Sequence, residues 1–228
     1  MPSIRGMDSY FRHQALGANK RIRTRGVLLD SAVEVFADKG FEEARVSDIA
    51  ALAGLANGTF YNHFKDKDEL AAATAGAIAL EIARRLDTRM HDLDAGLSRV
   101  VVASVAFLRL AATYAPWGSV LLEQFQRRPD AASEALEYMR SDILLAVEQG
   151  GLEVTVDRLL LEQLGAMMMV ALRNQLLSGD DPQVLRRTCE SVLRVLGLSP
   201  KRARREIERV SDHPFLSEAL DFSNLLAD

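Results

Sequence analysis

The sequence predicts an all-α protein, on three observations. Strand signals are nearly absent: the Asn-Gly pair at 57–58 lies between helical patterns, not between alternating β-branched runs. Apolar residues recur instead at three- and four-residue spacing along most of the chain. Glycine or proline punctuates these stripes at Gly40, Gly54, Pro116, Pro129, Gly150-Gly151, Gly179 and Pro182. With 228 residues, 48% hydrophobic and 26% charged, the chain is long enough for a small domain joined to a larger one with a real core.

The elements follow in order. Arg12, Lys20, Arg21, Arg23 and Arg25 form an acid-free run in a chain whose net charge is -4. Residues 1–20 therefore read as a flexible basic arm able to meet an anion. Leu28, Leu29, Ala32, Val35 and Phe36 make a helical stripe that stops at Gly40. A very short helix opens at Arg45 or Ser47, runs through Ile49, Ala50 and Ala53 and stops at Gly54; a second spans roughly 57 to 63. Asp66 is placed to cap a longer helix through Leu70, Ile78, Ile82 and Leu86, with Asp68 and Glu69 favourable in its first turn. Further helices are predicted over 95–114, 117–126, 130–149, 156–178 and 182–197. After Pro200 come Lys201, Arg202, Arg204 and Arg205, then an acidic tail. The tail's Phe215, Leu216, Leu220, Phe222, Leu225 and Leu226 suggest a segment that packs back on the body. The division is thus an arm over 1–20, a small unit of short helices over 21–68 with a connecting helix to about 90, a helical body over 91–199, and a helical extension over 200–228.

The stretch from Leu55 to Leu70 sets Phe60, Tyr61, His63 and Phe64 within five positions and carries no acid before Asp66. Two short helices across a glycine turn, braced by a longer helix before them, make a helix-turn-helix. Ile49, Leu55, Phe60 and Phe64 can close a miniature core, with Ala50 small where the helices cross. Asn57, Thr59, Tyr61, Asn62, His63, Lys65 and Lys67 are left facing outward or sideways. Neutral donors without carboxylates suit the edge of a duplex, where phosphates repel acids and base edges accept or donate hydrogen bonds.

The run RGVLLDSAVEVFADKGFEEARVSDIAALAGLANGTFYNHFKDKDEL, residues 25–70, resembles the DNA-binding domain of the TetR family of bacterial transcriptional regulators. The G-F after the first helix, the D-I-A, the A-G-L, the G-T-F-Y-x-H-F and the K-D-K-D-E-L fall in order. By this resemblance the base-facing positions are Ser47, Asn57, Gly58 and Thr59, and the phosphate contacts are Tyr61, His63 and Lys67. Asn62 shares the outward face. The chain departs from the family at Arg45, where a Thr or Ser cap is usual, and at Ala56, where a Ser is usual. Capping is then expected to shift to Ser47 and Asn57, leaving Arg45 to reach a phosphate.

The resemblance also implies a helical ligand-binding and dimerisation domain, a homodimer built by the last two long helices, a palindromic double-stranded DNA operator and, most often, repression. The helix at 156–178 offers Leu160, Leu164, Met167, Ala171 and Leu176 as an apolar face that needs a partner. Candidate residues for a small-molecule effector pocket are Phe107, Tyr114, Trp117, Leu121 and Phe125, with Met139, Met167 and Met168. Arg109 and Arg173 are the candidate counter-charges for an anionic effector. An enzyme is disfavoured: His13, His63, His91 and His213 lie far apart, Cys189 has no base partner in sequence, and no Gly-rich phosphate loop is present. No catalytic residue, metal or cofactor is expected. The single cysteine, the lack of a secretory segment and of an apolar run long enough for a bilayer point to the cytoplasm and to no membrane partner. The rival reading is a helical interaction adaptor whose basic stretches only solvate its surface.

Overall fold

A computed structural model describes residues 10–179 and 181–213. The apolar tail positions, Phe215 to Leu226, lie outside the described residues. Among those described the chain is all helices and turns. The helices are α1 (Tyr10–Gln14), α2 (Lys20–Glu43), α3 (Val46–Leu52), α4 (Asn57–Tyr61), α5 (Lys67–Arg89), α6 (Gly96–Thr113), α7 (Ala115–Arg127), α8 (Ser133–Glu148), α9 (Arg158–Ser178), α10 (Pro182–Val195) and α11 (Pro200–Arg209). A 3₁₀ turn over Pro129–Ala132 precedes α8.

Side-chain caps set several helix starts. Asn19 Oδ1 accepts from Ile22 N at 3.0 Å, Asp66 Oδ1 from Glu69 N at 2.8 Å, and Asp157 Oδ1 from Leu160 N at 2.8 Å. The regular part of α2 stops at Gly40, whose φ of 72° lies in the left-handed region that glycine tolerates without a Cβ penalty. Phe41, beyond that break, is buried against Phe36, with 5.6 Å between ring centroids. The helix-turn-helix core is Leu28, Ala32, Phe36, Ile49, Phe60 and Phe64, all buried. Burial of each of the larger of these side chains stabilises by roughly 1.5–3 kcal/mol.

α5 leaves that core and runs into the body, packing on α2, α6, α7 and α8. α6 is the centre of the body, in contact with α5, α7, α8, α9, α10 and α11. It corrects the expectation that no apolar run could span a bilayer: it has 18 residues with mean hydropathy 1.5. That apolarity is explained by its place, since 67% of the helix is buried inside the fold. Gly96 lets its first turn lie against α8, where a methyl group would collide with the backbone of Asp142 and Ala146. Gln149 Oε1, from the end of α8, accepts Gly96 N at 2.9 Å and so supplies the cap that Ala95 cannot.

The basic arm differs from its expectation over residues 10–18. α1 is docked, with Tyr10 only 4% exposed. Asp30 of α2 accepts Phe11 N at 2.8 Å and Arg12 N at 2.9 Å, covering two donors at the start of α1. Tyr10 meets Trp117 edge-on at 5.4 Å between ring centroids, and Phe11 stacks on Trp117 at 5.8 Å. Arg85 of α5 donates to Tyr10 Oη at 3.1 Å. The short helix therefore ties α2, α5 and α7 together, because its aromatics have nowhere else to be buried.

Candidate nucleic-acid interface and effector cavity

Two places in the molecule combine exposure or volume with usable chemistry. The first is α4 and its flanks. Arg45 stands at the N-cap of α3, but the work is done by Asp48, whose Oδ2 accepts Arg45 N at 3.2 Å. Lys39 pairs with the same carboxylate at 3.0 Å and, as its main partner, holds it below the usual carboxylate range. Ser47 is consequently not needed as a cap and lies exposed. Nor does Asn57 cap α4: it is the first helical residue, after an Ala56 N-cap that makes no side-chain bond. Gly54, at φ 66°, closes the turn between α3 and α4.

Phe60 and Phe64 turn inward, and Tyr61 stands edge-on to Phe60 at 5.2 Å with 60% of its surface exposed. Asn57, Gly58 and Asn62 are exposed with it, while Thr59 and His63 are half-buried. From Ile49 to Lys65 there is no acidic residue. Arg21 and Arg25, from the start of α2, reach this surface. After burial, they are the causes that lower the His63 pKa, and the Arg25 guanidinium sits 4.3 Å from the Phe64 ring centroid. The sequence showed these cations as a run; the fold brings them beside the recognition segment.

Lys67 is a correction. As a phosphate contact it would need a free ammonium, but its Nζ donates to Phe41 O at 2.5 Å, Ala44 O at 2.8 Å and Glu42 O at 3.2 Å. An ammonium has three protons, and all are spent on the carbonyls at the end of α2. Lys67 also lies 4.3 Å from the Phe41 ring centroid. It is a clasp between α5 and the end of α2.

The second place is a cavity of about 100 Å³ lined by α5, α6, α7, α8, α9 and the 3₁₀ turn. Of the candidate pocket residues, Phe107, Phe125, Met139 and Met168 line it. Tyr114, Trp117 and Leu121 do not; all three are buried elsewhere, Trp117 under Tyr10 and Phe11 of α1. Met169 lines it where Met167 was expected, because Met167 turns to a groove between α9 and α10. Arg173 is exposed on α9, away from the cavity. Arg109 is likewise absent from the lining. The polar groups at the wall, which the sequence reading missed, are Asp87, Ser104, Tyr138 and Asp142. Only folding joins Asp142 to Arg99, 43 residues earlier, so no spacing signal marks them.

The proposed partner face of α9 also changes. Leu160, Leu164 and Ala171 pack inside the chain, and Val192 of α10 does so too. The apolar residues left outside are Leu159, Val170 and Leu177, at 61%, 62% and 78% exposure. Of these, Val170 also lines the α9–α10 groove, together with Met167 and Val184. Cys189 is buried, which pushes its thiol up to about 12 and keeps it unreactive.

Residues 28–74 match the sequence profile of bacterial regulatory proteins of the tetR family. The HTH-type transcriptional regulator YvdT of Bacillus subtilis is 38% identical over 64 residues, 28% of this chain and 33% of that protein. The HTH-type transcriptional regulator SrpR of Pseudomonas putida is 29% identical over 152 residues, 59% of this chain and 66% of its own length. The chain thus spans a third of YvdT and just under two thirds of SrpR. The crystal structure of RolR in complex with resorcinol superposes with a TM-score of 0.64 at 22% identity, covering 83% of this chain and 95% of that one.

Proposed function

We propose that this chain, which belongs to the TetR family of bacterial transcriptional regulators, is a ligand-responsive repressor. It binds a palindromic operator as a two-fold dimer and is released by a small, mostly apolar effector. The observation that carries the reading is the surface of α4: an exposed tyrosine, two exposed asparagines and a bare glycine, with no carboxylate from 49 to 65 and Arg21 and Arg25 beside it. A backbone unobstructed at Gly58 permits close approach to base edges, while Tyr61 and the arginines suit phosphates. Leu159, Val170 and Leu177 supply the apolar stripe for a second copy. The cavity supports an effector site, and the resorcinol held by RolR, a relative in fold, supports one of ring size.

α7 supports the coupling. Phe125 lines the cavity, and two residues on Arg127 pairs with Glu42 at 2.6 Å and Asp68 at 3.5 Å, in the DNA-binding domain. A ligand that displaces Phe125 moves the end of the helix that holds that domain. A hundredfold preference for the released conformation, about 2.7 kcal/mol, would change operator affinity by the same factor.

The test is binding to DNA from the region upstream of the gene, titrated in salt. A specific complex with a steep salt dependence is expected, together with a dimer in sedimentation at micromolar concentration. Tyr61→Phe should weaken all sequences alike, by about 1 kcal/mol, through loss of one phosphate hydrogen bond. Unchanged affinity in that variant would remove α4 from the groove, and no complex at low salt would favour an interaction adaptor.

A further inference from the structure

We propose that Asp142 sets the polarity of the effector: the cavity takes a ring-sized apolar molecule whose polar group donates a hydrogen bond, an amine or a phenolic hydroxyl, and rejects carboxylates. The inference rests on the reading of this cavity as the effector site.

Asp142 lines the cavity yet is only 5% exposed. Arg99 Nε donates to its Oδ1 at 2.5 Å, while Arg99 Nη2 goes to Asp87 Oδ1 at 2.5 Å and Nη1 to Met90 O at 2.7 Å. One guanidinium thus serves two carboxylates, which leaves one negative charge in the cluster. Asp87 is half-exposed, so water screens it; Asp142 carries the shortage of donors inside an apolar wall. A carboxylate has about four acceptor positions, and Arg99 is its partner among the described residues. Burial, the largest cause, pushes the Asp142 carboxyl up, and the charge of Asp87 adds to that.

No lysine, arginine or histidine is among the lining residues to offset a second anion. Ser104 spends its proton on Val100 O at 2.7 Å. Tyr138 offers the wall a single hydroxyl donor and no cation. A donor group on the ligand supplies what Asp142 lacks; a carboxylate adds repulsion and loses its own hydration. The resting volume of about 100 Å³ is smaller than the roughly 150 Å³ of a dry cavity that takes benzene, so a substituted ring enters only as the flexible part of the wall gives way. Met90, Met139, Met168 and Met169 can re-pack around a ring substituent.

The experiment is calorimetry on the full chain without DNA, using 4-methylbenzylamine, 4-methylphenol and 4-methylbenzoate. The amine and the phenol should bind at least about tenfold more tightly than the benzoate, a difference of about 1.4 kcal/mol. Asp142→Asn should reduce that ratio to within about twofold, and Asp87→Asn should preserve it. Benzoate binding as tightly as the phenol in the parent chain overturns the proposal, and this arm stands even where Asp142→Asn does not fold. A ratio that survives in Asp142→Asn, or no binding by any of the three, overturns it as well. The expected ranking without release of DNA by any ligand would uphold the polarity of the cavity and remove its effector role.

Discussion

The DNA-facing surface and the cavity are built in opposite ways. The first comes mainly from one contiguous stretch, with α3, a glycine turn and α4 placing its groups side by side within twenty residues of chain, and Arg21 and Arg25 of α2 added by the fold. The second collects side chains from five helices and a turn, spread from Ala79 to Met169. One site displays donors to water; the other hides a carboxylate from it. The lesson is that a site made by local geometry keeps its chemistry in the order of the chain, whereas a site made by packing does not.

The largest effect is expected in the small domain. Phe60→Ala empties the centre of the helix-turn-helix core and should cost about 3–5 kcal/mol. DNA binding should vanish in gel shift while 4-methylphenol still binds the cavity; loss of both would show that the two regions fold as one unit. Lys67→Met comes next. Removing an ammonium from the α2 carbonyls should lower stability by about 2 kcal/mol in urea titration, yet leave the salt slope of DNA binding unchanged. A slope reduced by about 1 would return Lys67 to the phosphates.

The docked first helix sharpens the contrast through pH. Burial raises the Asp30 carboxyl to about 6 from its ordinary 3.8, outweighing the two backbone N–H bonds that lower it. The folded chain therefore holds a proton that the unfolded chain gives up in that window. Its stabilisation is complete below about 4 and is lost as pH rises through about 6. Urea midpoints of the parent should fall relative to Asp30→Asn between those values; parallel curves would show that burial does not control this group. Arg127→Ala is the mildest change. Its ion pairs with Glu42 and Asp68 are exposed and contribute little, so the melting temperature should barely move. Effector-induced release of DNA should nonetheless weaken, and unaltered release would place the coupling outside the end of α7.

What the sequence disclosed follows the same division. The helix start at Asp66 and the breaks at Gly40 and Gly54 were legible because caps and positive φ are local requirements. The exposed α4 face was legible because its aromatics and donors are neighbours in the chain. Lys67 was misassigned because the carbonyls it binds are 23 to 26 residues earlier, and no periodicity announces them. Trp117 was a pocket candidate, but Tyr10 and Phe11, over a hundred residues earlier, cover it. The apolar stripe of α9 was visible, but α9 carries apolar side chains on two faces, and only packing shows which one the monomer uses.

The position of Trp117 has an optical consequence. It is the single tryptophan of the chain, so the near-ultraviolet emission excited through indole comes from one seam, where the first helix meets the start of α7. Undocking of that helix would admit water to the ring and shift its emission to the red. The same α7 carries Phe125 at the cavity and Arg127 at the DNA-binding domain, so an unlabelled sample holds a built-in fluorophore on the helix that joins the two.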